Sequence, residues 1–416
     1  MITRRSLLGG LAAGAAASGI ALAGRANGAP APSAAPHGPA RSAAGMSLHL
    51  VNNSGSYANS SVWIYVVGND GTRQVHVTPD GELRPVALAD NGPDGFTDYA
   101  IPLAASGTTT LQLPRMSGRI YTALGGKLKF KAVEDGNGKA ALAYPAGWVA
   151  GDPNYDVLHD CAEFTYNSGG MYCNTTMVDM FSVPLAIRLT GAKDQSTGTL
   201  KDGARAKVFA DVRAADGFDR LVIGDRRVIA PGHGLDSGLF APDYFAPAID
   251  EAWSAYAAKD LSVTTNAGTL TGRVRDGKLV FTVPQGLKGP RGGAAPTGTV
   301  SFDKPSTRDV LFCDGTLAAP NWGHLPALAG GGTRGPIAAI LGAALNRSTL
   351  TTHAAQPTTD PATFYGERLT HHYAKAMHAA TRDGRAYGFA FDDVAGFASY
   401  IEDSAPKEMT LTLTPF

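Results

Sequence analysis

Cysteine is nearly missing from this chain, with 3 residues among 416, Cys161, Cys173 and Cys313. So few sulfurs exclude a disulfide-built scaffold, and the fold has to be held by a hydrophobic core with at most one bridge. Cys161 and Cys173 flank a turn signal and are the pair to watch; spacing alone leaves their bonding open, and Cys313 reads as a small buried residue. An excess of either charge is also lacking, since 36 Lys and Arg face 36 Asp and Glu. Loss of Arg4, Arg5 and Arg25 with a leader leaves the mature chain near −3, a balance that disfavours nucleic acid and anionic membranes and suits a neutral polymer. No segment after the N-terminus offers the ~20 consecutive apolar residues of a membrane span. His371, His372 and His378 lack HExxH spacing, which makes them a helix surface rather than a metal site. Gly330-Gly331-Gly332-Thr333-Arg334-Gly335 lacks the Lys-Ser/Thr ending of a phosphate loop and reads as a flexible connection. No internal repeat is present.

At the N-terminus, Thr3-Arg4-Arg5-Ser6-Leu7-Leu8 precedes a Gly/Ala-rich apolar stretch running to about Ala23, the pattern of an export signal. The paired arginines point to the twin-arginine route and a secreted protein. Residues 29 to 44 are mostly Ala, Pro and Ser and cannot bury a core, so 1–45 is expected to be signal plus flexible leader.

The remaining length, about 370 residues, exceeds one small core. From Ser47 to about Thr190, short β-rich runs such as Ser47–Val51, Val62–Val67 and Leu128–Val133 alternate with turn signals at Asn69-Asp70-Gly71, Asp80-Gly81 and Asp135-Gly136-Asn137-Gly138. Strands at that spacing predict a β-sandwich or barrel. Helical periodicity then appears over Tyr244–Ala258, Pro336–Leu345 and Thr363–Ala380, with strand candidates at Thr269–Val274 and Lys278–Val283. Trp253 and Tyr256, at helical spacing, are expected in the core. The tail, with Tyr387-Gly388-Phe389-Ala390-Phe391 and Met409–Leu413, returns to β character. The fold class is therefore mainly β with an α/β insertion: a β domain from 46–190 and 383–416, and an inserted mixed α/β domain from 191–382.

Chemistry concentrates between Cys161 and Leu185, where two strand-like runs flank Ser168-Gly169-Gly170. Alternate residues of a strand share a face, so Cys161, Glu163 and Thr165 lie together, as do Thr175, Met177, Asp179 and Phe181 on the second run. A broad loop near Met171 sets Glu163 almost opposite Asp179, whereas a tight turn at Ser168-Gly169 displaces them along the strands; register is left open by the sequence. Two carboxylates across a cleft are what glycoside inversion requires, about 6.5 to 9.5 Å apart, one protonating the leaving oxygen and the other activating water. Two solvated acids on a sheet face are common, and pattern alone favours that reading.

The runs Ala162-Glu163-Phe164-Thr165-Tyr166-Asn167 and Val178-Asp179-Met180-Phe181-Ser182-Val183-Pro184-Leu185 resemble the acidic-cleft strands of thaumatin-like proteins. Ser106-Gly107-Thr108-Thr109, the Ser117-Gly118-Arg119-Ile120 turn, and a Tyr387–Asp393 strand match that fold in the same chain order. Paucity of cysteine and the long insertion narrow the resemblance to glycoside hydrolase family 64, bacterial β-1,3-glucanases of the laminaripentaose-producing type. It implies a thaumatin-like barrel beside an α/β domain across a wide groove, with Glu163 as general acid and Asp179 as general base. It further implies substrate contacts from Thr165, Asn167, Tyr172, Thr176, Asp392 and Asp393, and no metal or organic cofactor. The expected protein is a secreted monomer, soluble once its leader is removed, that hydrolyses β-1,3-glucan by inversion. The alternative is a thaumatin-like glucan-binding or antifungal module without turnover.

Overall fold

The computed structural model describes residues 45–287, 298–319 and 334–416. The expected export segment within 1–45, Gly45 excepted, lies outside these residues, as does most of the Gly330–Gly335 connection.

Two β-sheets face one another, built from strands between residues 46 and 197 and from the last two strands. One, of five strands, runs in the order Asp194–Thr197, Leu185–Thr190, Glu408–Leu413, Met46–Asn52, Thr109–Leu113. The chain's first and last strands pair in parallel at its centre, Leu48 beside Met409 and Leu50 beside Leu411. The other, of eight strands, is built around Val62–Asn69, Met116–Leu124, Leu158–Asn167, Gly170–Asn174 and Tyr400–Asp403. Two-residue alternation dictates the packing: Met46, Leu48 and Leu50 are buried while Ser47 and His49 are half-buried. Leu48, Ile64, Ile120, Ala162, Phe164, Ile187 and Leu411 meet between the sheets in one core. Phe164 is fully buried, and side chains of its size contribute about 1.5 to 3 kcal/mol each when removed from water. The opposite face of the larger sheet carries Tyr65, Tyr121 and Cys161 beneath Phe130 and Leu142.

The second body packs helices Ala204–Ala214, Ala246–Ala258, Thr307–Phe312, Arg334–Asn346 and His372–Ala380 with a five-stranded sheet that includes Leu261–Thr265, Gly268–Arg275 and Lys278–Val283. Trp253 and Tyr256 are core residues, as expected, at 6% and 1% exposure. The chain is thus mainly β with a mixed α/β portion.

Several local expectations are corrected. Asp194–Thr197 extends the five-stranded sheet beyond residue 190. Tyr387–Phe391 is not a strand, because Phe389 and Phe391 turn into a cluster with Cys313, Ala343 and Ala374 of the α/β body. The helix expected from Thr363 starts only at His372, capped by the His371 ring, which accepts from the Ala374 amide. Lys131–Glu134 is a strand, but residues 128 and 129 are not. Finally, Ser117-Gly118-Arg119 lies within the strand Met116–Leu124 instead of forming a turn.

Candidate active site

Register places Glu163 between two cross-strand neighbours, Arg119 on the Met116–Leu124 strand and Asn174 on the Gly170–Asn174 strand. Such pairs sit about 5 Å apart at Cβ, within reach of long side chains. The Arg119 Nε and Nη2 donate to Glu163 Oε1 at 3.1 and 2.9 Å, and Asn174 Nδ2 donates to Oε2 at 3.3 Å. The hairpin turn is the tight one: Asn167 pairs with Gly170, and Asn167 Oδ1 accepts from the Gly169 amide.

On paired strands that turn would carry Asp179 away from Glu163. The chain instead leaves the sheet after Asn174, and Asp179 is not on a strand. Met177 and Phe181 anchor the crossing segment in the α/β core, and Tyr373 donates its hydroxyl to the Met177 carbonyl at 2.6 Å. The Asp179 carbonyl accepts from the Ala230 amide at 3.0 Å, so the segment is docked against the start of the helix Pro231–Asp236. The result returns the carboxylate to Arg119, whose Nη1 lies 3.2 Å from Asp179 Oδ2. His233 Nε2 sits 2.9 Å from Oδ1.

One guanidinium therefore holds both acids. Its span caps their separation at about 8 to 9 Å, inside the upper limit for a carboxylate pair that admits water. Burial pushes the Asp179 carboxyl up, but Arg119 and His233 outweigh it and hold the pKa at about 2. Asp179 is thus ionised throughout the ordinary pH range, while its side chain remains 24% exposed.

A recess of about 300 Å³, its open mouth included, is bordered by Arg119, Tyr121, Trp148, Thr176, Asp179 and Met180. That is the small end for a ligand site, so a long ligand must lie across it. Trp148 stacks on His233 with ring centres 4.1 Å apart and an interplanar angle of 18°. Its turn is held by the buried Arg227, which donates to the Gly147 carbonyl at 2.8 Å. A Cβ at Gly147 would meet Arg227 Nη1 at 2.0 Å, so only glycine fits.

Of the predicted site residues, Glu163, Asp179 and Thr176 are brought together. Thr165 shares the face of Glu163 but is covered, at 1% exposure. Tyr172 is half-buried beside Tyr387 and Tyr400, and its hydroxyl donates to the Gly169 carbonyl. Asp392 is a correction. Fully buried, it accepts from Arg347 Nη2 at 3.0 Å, from His378 Nε2 and from the Gly388 amide, which leaves it no surface to offer a sugar. Asp393 opens the short turn Val394–Gly396 next to it. His371 and His378 are likewise not a helix surface: His371 is 1% exposed, and His378 faces Asp392. Among the described residues no metal-binding group of His, Cys, Asp and Glu is assembled. Cys161 and Cys173 are free thiols, buried as Cys313 is; Cys173 lies opposite Phe164, out of register with Cys161.

Sequence reasoning saw Arg119 only as part of a turn and missed His233 and Trp148. The Pro231-Gly232-His233-Gly234 run, a Pro starting a helix with a lone His between glycines, was the available signal.

A family model described as glycoside hydrolase 64, β-1,3-glucanase, matches residues 44–413. A glucan endo-1,3-β-glucosidase of Arthrobacter sp. (strain YCWD3) is 34% identical over 320 residues, 74% of this chain and 54% of that protein. The chain thus spans about half the length of this curated relative. Among solved structures, a laminaripentaose-producing β-1,3-glucanase in complex with laminaritetraose aligns with TM-score 0.77 and 33% identity, covering 90% of this chain and 99% of the other. A β-1,3-glucanase domain (GH64) from Clostridium beijerinckii aligns at TM-score 0.73 and 25% identity, covering 91% and 100%.

Proposed function

Because the chain belongs to glycoside hydrolase family 64, we propose that it hydrolyses β-1,3-glucan by inversion, with Glu163 protonating the leaving oxygen and Asp179 activating water. The observation that carries this reading is the pair of carboxylates gripped by one guanidinium, with Arg119 and Asp179 bordering an open recess. A binding module has no use for an acid and a base so arranged.

Asp179 suits the base role, since its neighbours keep it ionised and an oxocarbenium-like transition state makes the attacking water more acidic. Glu163 has both oxygens engaged, one by Arg119 and one by Asn174. One of these contacts opens as glucan enters; the freed oxygen, protonated from solvent, hands that proton to the glycosidic oxygen. Trp148, at the rim, offers a flat apolar face of the kind on which sugar rings stack. Asn167, Tyr172 and Thr176 extend the groove on the Glu163 side. We further propose a thaumatin-like sandwich flanking the groove, export by the twin-arginine route, and action as a secreted monomer on laminarin, curdlan or fungal cell-wall glucan, releasing short laminari-oligosaccharides.

The test is reducing-end release from laminarin by wild type, Glu163→Gln and Asp179→Asn. Wild type releases sugar, and each variant falls at least about 100-fold while still binding laminarin. NMR of the first product sees the α-anomer. Binding without release in the wild type supports the non-catalytic module instead; initial β-anomer overturns inversion alone. Preference for cellulose or chitin over laminarin and curdlan overturns the substrate.

A further inference from the structure

The ring of His233 is fixed on three sides by elements distant in sequence. Trp148 stacks on one face. Phe312 presents a nearly perpendicular ring, with centres 5.8 Å apart and planes at 81°. Nε2 points at Asp179 Oδ1 from 2.9 Å. A carboxylate only accepts, so Nε2 carries a proton and donates. The helix beneath is seated as closely as its glycines allow: a Cβ at Gly234 would lie 2.2 Å from Leu221 Cδ2, and one at Gly232 would lie 3.1 Å from Phe312 Cζ. The Asp179 backbone is tied to the same helix start through Ala230. Asp179 is therefore held by main chain and side chain from one element, while Arg119 takes its other oxygen.

These two holds tie Asp179 to different elements. Arg119 draws Asp179 toward Glu163, which it also binds; His233 draws Asp179 toward the α/β body. We propose that His233 is a positioning residue for hydrolysis, holding Asp179 far enough from Glu163 for a water molecule to stand between base and sugar. The inference rests on the reading of Asp179 as general base. Without the imidazole, Asp179 rotates onto Arg119 and the gap closes. The other groups electrostatically coupled to Asp179 are Cys161 on the strand Leu158–Asn167 and Tyr373 on the helix His372–Ala380. Tyr121 reaches it only through Arg119, and Asp236 and Arg308, near His233, pair with one another.

Kinetics of His233→Ala and His233→Gln on laminarin across pH test this. Gln places an amide donor near the position of Nε2, whereas Ala leaves none. His233→Ala is expected to lose about 10- to 100-fold in kcat with KM changed less than about threefold, the scale of a misplaced catalytic group. The acid limb of its kcat/KM profile rises toward the ordinary carboxylate range, because Asp179 has lost a donor to its charged form. His233→Gln recovers most of kcat and returns the limb to lower pH. Wild-type kcat and an unmoved limb in His233→Ala overturn the proposal, and so does a His233→Gln variant as slow as the Ala variant. If His233→Ala does not fold, the limb and kcat of His233→Gln decide: slow turnover with normal melting rejects it, near-normal turnover supports it. A fully active Asp179→Asn enzyme refutes the base assignment itself, an outcome separate from failure of His233 alone.

Discussion

Two aspartates in this molecule are bracketed in the same way, each by one arginine and one histidine. Asp179 lies between Arg119 and His233, and Asp392 between Arg347 and His378. The chemical parts are alike, but Asp179 keeps 24% of its side chain open at a recess while Asp392 is fully enclosed. His378 donates from both nitrogens, to the Gly384 carbonyl and to Asp392, so it is an imidazolium. Burial pulls its pKa down, yet Asp392 outweighs burial and leaves it raised. Arg347 in turn packs against the rings of Phe364, Phe389 and Phe397. The buried cluster thus ties the Tyr387–Phe391 loop to the last two helices. What separates the open cluster from the buried clamp here is access, not the identity of the charged groups.

The sharpest way to break that comparison is Asp392→Ala. It leaves Arg347 and His378 buried without their acid and is expected to cost about 3 to 5 kcal/mol of stability, read by urea denaturation. Turnover per folded molecule stays near wild type. A large rate loss with unchanged stability would instead put Asp392 in the catalytic site.

A smaller effect separates the two clusters by pH. The folded pKa of Asp179, about 2, is depressed below the usual 3.8, so its stabilisation is present above pH 4 and lost as pH falls toward 2. About 2 kcal/mol is at stake, and Asp179→Asn should flatten the wild-type loss of melting temperature across that window. His378 has the opposite sign: its raised pKa gives stability that is full at low pH and lost as pH climbs through the folded value, and His378→Gln should remove that alkaline decline. Smallest of all is the response to reductant. With Cys161 and Cys173 unbridged, dithiothreitol should leave the melting temperature where it is, and a fall of several degrees would reveal a bridge.

Strand alternation around Leu48 and Leu50, the periodicity of Trp253 and Tyr256, and the two acids Glu163 and Asp179 were all legible, because each is a local pattern or a motif. Their meeting was not. Both registers considered kept Asp179 on a strand paired with that of Glu163, whereas the chain abandons the sheet at Asn174 and returns through contacts with Ala230 and Tyr373. His233 and Trp148 were missed for a related reason: they reach the site from 54 and 31 residues away from Asp179, and even the Pro231–Gly234 run marks a helix start without saying what it meets. Asp392 misled because an aromatic-rich Asp-Asp run reads as an exposed strand end, and only packing of Phe389 and Phe391 against Ala374 seals it.

The crossing segment from Thr175 to Phe181 has Met177 and Phe181 rooted in one body and its carboxylate hooked to a strand of the other. It works like the pivot of a caliper. The gap between Glu163 and Asp179 is then a reading of how the two bodies seat, so a substitution in the Leu221 or Phe312 contacts beneath His233 would shift it.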